Sequence, residues 1–335
     1  MTHVAGKFGA QSAVFLVSGF NMLANKVQTA SFKIEAMLEP SHGLGDSWEE
    51  SLPTGMSKAT IVQDGGFWDT TAGFIHAQLA AEAGAQTPQS VPKIVVLAFG
   101  GNTIGSPMVG FQGAFNGEYE VIAEVNKLQR ANAAWTIAGA ADRGVILHAL
   151  TNETTDAVTE PANSVDHTTE AWNRVVPITS SNATGEVITC TVPHGLTAGD
   201  TVLISGHTGS TPSINSIQNV VTVPSPTTFT VTTDITVGGT GGTLVQAGSS
   251  NGGVGYLEAT LVTLGTWTSM TVSLRHSVDN SVFVDLGVFT TRTTIGAERI
   301  TTVGTVRRYL ACSVDFVGAG TGGSFTYLAG FARNQ

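Results

Sequence analysis

Polar and apolar residues alternate along most of this chain with the two-residue period of a β-strand. In SFKIEAMLEP, Phe32, Ile34, Ala36 and Leu38 share one predicted face, and Lys33, Glu35, Met37 and Glu39 the other. In GEYEVIAEVNK, Tyr119, Val121, Ala123 and Val125 are predicted to face a core, opposite Glu118, Glu120, Glu124 and Asn126. MTVSLRH and SFTYLAGF repeat the pattern near the C-terminus, with Met270, Val272 and Leu274 on one side and Phe325, Tyr327, Ala329 and Phe331 on the other. The first 150 residues predict strands at 12–18, 29–38, 57–64, 93–99, 107–113, 117–128, 131–138 and 143–150. The last 87 predict them at 254–263, 269–277, 282–289, 298–303, 306–316 and 323–333. A single helix is expected at 70–83, capped by Asp69 or Thr70 and closed by Gly84, with Phe74, Ile75 and Leu79 buried.

Four units follow from these patterns. Residues 1–150 read as a β-sandwich or barrel with one covering helix. Residues 151–177 are a polar connector and lead-in strand. Residues 178–247 change texture, with short strands, many turns and almost no charge, and they are expected to be an all-β insertion. Residues 248–335 form a C-terminal β-sandwich. An insertion at an exposed loop costs little, because closure entropy grows slowly with loop length. The expected class is therefore mainly β and antiparallel.

Composition narrows the function. Only 12% of the 335 residues are charged, half the usual share, which suggests that much surface is destined for neighbouring subunits. Forty glycines suit turns between short strands. A net charge of −10 with no basic run opposes nucleic-acid gripping. No window approaches the roughly 20 apolar residues of a helical membrane span, so no membrane insertion is expected.

Candidate chemistry is sparse. Cys190 in VITCTV and Cys312 in YLACSV read as small strand residues rather than nucleophiles or zinc ligands. The histidines, among them His42, His76, His148, His167, His194, His207 and His276, lack metal-ligand spacing. FGGNTIG at 99–105 and the glycines at 238–242 do not lead from strand to helix and lack a following lysine, so they read as loop glycines. His194 and Asp200 in PHGLTAGDTV fit two successive turns better than a catalytic pair. A glycan hydrolase would need paired carboxylates in a cleft; Asp279 and Asp285 are near in sequence but fall beside a hairpin turn. No cofactor, no metal and no enzymatic activity are expected.

Longer segments carry a resemblance. NGGVGYLEATL (251–261), VSLRHSVDNSVFVDLGVFT (272–290), GAERITTVGTVRRYL (296–310) and SFTYLAGFARN (324–334) resemble the end of siphophage major tail proteins. The first 150 residues, with a long loop at 39–56 and the helix after it, look like the tail-tube fold. VPHGLTAGDTVLISG (192–206) and FTVTTD (229–234) are similar to a small β-module found in phage proteins and ubiquitin-activating enzymes. The resemblance implies a virion protein, assembled in the bacterial cytoplasm into stacked, usually hexameric, rings. Its partners would be further copies of itself, the tape-measure protein and passing DNA in the lumen, and tail terminator and tail-tip proteins. Glu118, Glu120, Glu124, Lys33 and Glu35 are then the candidate lumen-facing residues, on a mainly acidic wall that would not hold DNA. His42, Asp46, Trp48, Glu49 and Glu50 are the candidate ring-stacking loop. The rival expectation is a tail-tip or capsid-decoration protein whose C-terminal sandwich binds carbohydrate through exposed Trp172, Trp267 and Tyr256.

Overall fold

The structure, a computed structural model, describes residues 13–22, 29–40, 51–67, 92–127, 129–137, 139, 141–167, 174–246, 250–277 and 280–334. Those residues form 22 strands and no α-helix. The helix expected at 70–83 and the tip of the loop expected at 39–56 lie outside them.

In chain order the first strands are β1 (Val14–Val17), β2 (Phe20–Asn21), β3 (Thr29–Pro40), β4 (Ser51–Phe67), β5 (Lys93–Ala98), β6 (Pro107–Ile122), β7 (Arg130–Ile137) and β8 (Ala141–Glu153). Two short strands follow, β9 (Ala157–Val158) and β10 (Val165–Asp166). The next group is β11 (Arg174–Asn182), β12 (Val187–Cys190), β13 (Thr201–Ser205), β14 (Ile217–Asn219), β15 (Thr228–Thr230) and β16 (Thr243–Gln246). The last is β17 (Ser250–Thr263), β18 (Ser269–Ser277), β19 (Val284–Val288), β20 (Gly296–Val306), β21 (Tyr309–Val317) and β22 (Ser324–Arg333). All named pairings are antiparallel, and the protein is mainly β.

β6 organises the larger body. The alternation predicts two strands, at 107–113 and 117–128; one strand runs through, and it changes partners midway. Pro107–Phe111 pairs with β8 and Val109–Ala114 with β5. From Ala114 to Ile122 the partner is β7. The handover falls on a bulge: Ala114 faces Lys93 and Gln112 faces Ile94, which leaves Gly113 between them at φ +97°. That conformation strains any residue with a Cβ, so glycine is what lets the strand bend there.

An 11-stranded sheet results, running β2-β1-β5-β6-β8-β22-β17-β20 with β7, β4 and β3 branching from β6. It folds over itself. Phe15, Ile61, Leu97, Phe111 and Trp135 fill the space between the β7-β4-β3 branch and the β1-β5-β6 region. The opposite faces of β1 and β5 carry Leu16 and Val96, which pack with Met108, Tyr256 and Leu328 against β22 and β17. Burial on both faces explains why VFLV and VVLA read as unbroken apolar runs rather than alternating ones. The far side of β22 and β17 packs through Leu257, Phe325, Tyr327 and Phe331 onto a second, five-stranded sheet of β9, β10, β21, β18 and β19. Residues 1–150 and 248–335 therefore share one sheet, joined where β8 pairs with β22.

The inserted segment stands apart in its bonding. Its six strands, ordered β14-β13-β16-β11-β12-β15, pair only with one another. Its core of Ile188, Val202, Ile204, Phe229 and Leu244 is a separate cluster. Arg174 and Gln246, at its two ends, are directly paired neighbours.

Two outcomes are expected. Gly113→Ala should cost about 1–3 kcal/mol in urea unfolding, since it forces a Cβ into a left-handed conformation. Phe229→Ala should destabilise the inserted unit by roughly 3–5 kcal/mol. A separate early transition should appear on a melting curve, with the main transition unmoved.

Candidate functional site

The branch formed by β3, β4, β7 and the second half of β6 has one face on the core and one face free of other described residues. Register fixes which residues share the free face. Lys33, Thr60, Thr136 and Phe115 lie in one row, because each is the partner of the next. Glu35 pairs with Lys58, and Glu120 pairs with Asn132. The core side of the same strands holds Ala59, Ile61, Ala133 and Trp135.

Three predicted lumen residues, Lys33, Glu35 and Glu120, are exposed side chains on this face. Lys33 Nζ lies 2.5 Å from Glu35 Oε1, and that ammonium holds the Glu35 carboxyl below the usual carboxylate range. Asn132 Nδ2 donates to Glu120 Oε2 at 3.3 Å. Glu118 occupies the strand position opposite Ala134; its side chain lies outside the described residues. Glu124 is elsewhere: β6 ends at Ile122, and Glu124 sits in the following turn, paired with Lys127. The described charges on these strands are balanced in number, Lys33, Lys58 and Arg130 against Glu35, Asp64 and Glu120, with Lys58 directly opposite Glu35. His42, Asp46, Trp48, Glu49 and Glu50 all lie outside the described residues.

Two apolar assignments are corrected. Ile34, expected in the core, is 41% exposed, and Val121 is 43% exposed. Both lie toward the rim of the branch, β3 as its last strand and β6 at its far end, where no layer of described residues covers them. Val125, 90% exposed, has left the strand altogether.

The remaining candidates resolve into structural roles. Cys190 and Cys312 are buried strand residues, and burial pushes the Cys312 thiol up to about 12, away from nucleophilic use. His194 Nδ1 accepts the Leu196 N–H at 2.9 Å. Asp200 accepts the Thr197 N–H at 2.8 Å, so each residue fastens its own turn. Asp285 pairs with Arg275 at 3.3 Å, while Asp279 and Trp172 lie outside the described residues. Tyr256, expected as an exposed stacking residue, is fully buried. Trp267 is half-buried, edge-on to Phe316 at 5.7 Å. Among the described residues no three His, Cys, Asp or Glu side chains converge as metal ligands.

Two polar clusters escaped the sequence reading. Asp142 accepts from Tyr256 Oη and from Arg299, whose Nη2 and Nε approach to 3.0 and 3.1 Å. Burial, then Asp142, pushes the Tyr256 phenol well above its ordinary range. The ring itself fits because residue 110 is glycine: a Cβ there would come within 2.4 Å of it. Asp142 is 157 residues from Arg299, so no local pattern announces the pair.

The second cluster centres on Glu258, a fully buried carboxyl in β17. Gly19 N–H, in the β1–β2 turn, donates to its Oε2 at 2.5 Å, tying the two ends of the folded sheet together. Oε1 has no partner among the described residues. Burial pushes this carboxyl up to about 8 against the opposing pull of the Gly19 and Ser18 amides and Arg292. A carboxylate within the apolar run GVGYLEATL was the available signal.

The linkage has a definite sign. Between about pH 4.5 and 8 the folded chain keeps the Glu258 proton and the unfolded chain releases it, so stability falls as pH rises through that window. Glu258→Gln should therefore gain in melting temperature over the parent as pH is raised from 5 to 8. A constant difference across that range would mean that Glu258 is ionised in the fold.

No family model matches the chain, and no curated protein does. Two solved structures show slight similarity. One is from the virion of a native gene transfer agent particle: 11% identity and TM-score 0.31, over 41% of this chain and 98% of that one. The other is the SPP1 Dit protein, described as a paradigm of the hub adsorption apparatus in phages infecting Gram-positive hosts: 8% identity and TM-score 0.28, over 96% and 99%. Similarity at this level bears on neither fold nor role.

Proposed function

We propose that this chain is a structural subunit of a bacteriophage tail tube, whose rings, hexameric by resemblance, stack around a DNA-conducting lumen. The observation that carries the reading is the outer edge of β3. This strand is 12 residues long and pairs only with β4 among the described residues. It presents Ile34 half in water beside Lys33 and Glu35. A long edge strand with an apolar residue at its rim is a template for another strand, and soluble monomers normally blunt such edges. Pairing with a neighbouring copy satisfies the edge, and repetition of that contact around an axis gives a ring. The sequence resemblance at 251–334 supports a tail protein specifically. The free face of the β3-β4-β7-β6 branch would then line the lumen, with charges of both signs.

The rival reading, a tip or decoration protein that stacks sugars on its C-terminal sandwich, has less support, because Tyr256 is buried and Trp267 offers an edge already packed.

Rings or tubes should form from purified chain at high concentration, as seen in negative-stain images and by sedimentation. Ile34→Lys should leave the melting temperature within about 1 °C, as surface changes usually do, and abolish those assemblies. A parent protein that stays monomeric at every concentration, or an assembling Ile34→Lys variant, would rule out the β3 contact.

A further inference from the structure

The chain has 25 carboxylates and only 15 lysines and arginines, yet several of its cations meet at one end of the C-terminal sandwich. Arg333 ends β22 and is 5% exposed. Its guanidinium donates to the carbonyls of Val306 at 3.1 Å and Arg308 at 3.2 Å, and also to that of Arg307. It thereby holds the β20–β21 turn. Arg308 is paired with Asp166 at 2.7 and 2.8 Å. Arg143, on β8, is exposed and forms no ion pair among the described residues. Its sequence neighbour Asp142 lines one of the cavities at this end, with its carboxylate already held by Arg299 and Tyr256.

Two adjoining cavities, each of about 280 Å³, open at this end and share Arg143 and Arg333 in their walls. One is completed by Asp142, Val254 and Asn334, the other by His167, Val145 and Phe331. Nearby, His276 accepts the Arg307 N–H, and burial, then Arg307 and Arg333, lower its imidazole pKa to about 4.

We propose that this cleft is a carboxylate-binding subsite that takes an Asp or Glu side chain from a second protein subunit, gripped by Arg143 above the buried Arg333. The planar guanidinium fork matches a carboxylate in two-point contact. A cavity of this size, near the lower end of ligand pockets, readily admits a carboxylate side chain. Nucleic acid fits poorly: Phe331 is buried and offers no ring for a base to stack on, and the chain's net charge repels a phosphate backbone. Acidic protein surface is what an excess of carboxylates makes available when copies of this chain meet. The occupant is thus an acidic side chain of a second copy of this chain, and the inference does not require the tube reading.

The test uses the full chain at low ionic strength and pH 7, titrated calorimetrically with a hexa-aspartate peptide, inorganic phosphate and a single-stranded oligonucleotide. The peptide is expected to bind best. Arg143→Gln should weaken it about tenfold or more with an unchanged melting temperature, Arg143→Lys should restore part of the affinity, and Arg130→Gln, on the far branch, should have no effect. Equal peptide binding by Arg143→Gln, tighter binding of phosphate or oligonucleotide than of peptide, or no peptide binding at millimolar concentration would each overturn the proposal.

Discussion

The larger body depends on one strand having three sets of neighbours. β6 belongs to the β5 side, the β8 side and the β7 branch, and these pairings fold the sheet around two cores: one shared by the β5 side and the β7 branch, the other on the opposite faces of β1 and β5. The bend at Gly113 is what reconciles these demands, because a straight strand of that length could not leave one layer and enter another. Once β6 is placed, β1 and β5 are buried on both faces. Large apolar side chains contribute roughly 1.5–3 kcal/mol each when removed from water, so a middle layer with no solvent face concentrates stabilisation there. Among the polar groups in this interior, Tyr256 is held by Asp142 and Arg299, and Glu258 accepts the Gly19 amide through one of its two oxygens.

Glu258 and Gly19 form a contact of a different kind. They lie 239 residues apart and join the first hairpin to β17, on the far limb of the folded sheet. Burying an ionisable group at such a seam costs stability at alkaline pH. It also makes the closure of the sheet sensitive to one proton, whereas the surrounding aliphatic contacts are indifferent to pH.

Much of this was legible in the sequence because period-two alternation reports a strand with one wet face and one dry face. MTVSLRH and SFTYLAGF were placed correctly for that reason. The same signal failed where its premise failed. At GEYEVIAEVNK the apolar set was assigned to a core, but the strand runs past its covering layer, so Val121 is wet and Glu124 is in a turn. The alternation places a gap between strands at 107–113 and 117–128, whereas one strand bends at Gly113; local sequence cannot distinguish a break from a bend, since a glycine at positive φ suits both. The turn roles of His194 and Asp200 were readable because they are fixed within a few residues. The Arg143 cleft was not, because its walls come from β8, β22 and the segment before the insertion, and only the folded sheet brings them together.

The direct pairing of Arg174 with Gln246 has a consequence for evolution and for engineering. The host sees the inserted unit as two backbone ends a single strand-spacing apart, a gap of roughly 5 Å. Any compact domain whose termini meet side by side can be exchanged at that position without altering the layers beneath. The site behaves as a socket, and the unit it holds can diversify while the scaffold that carries it stays the same.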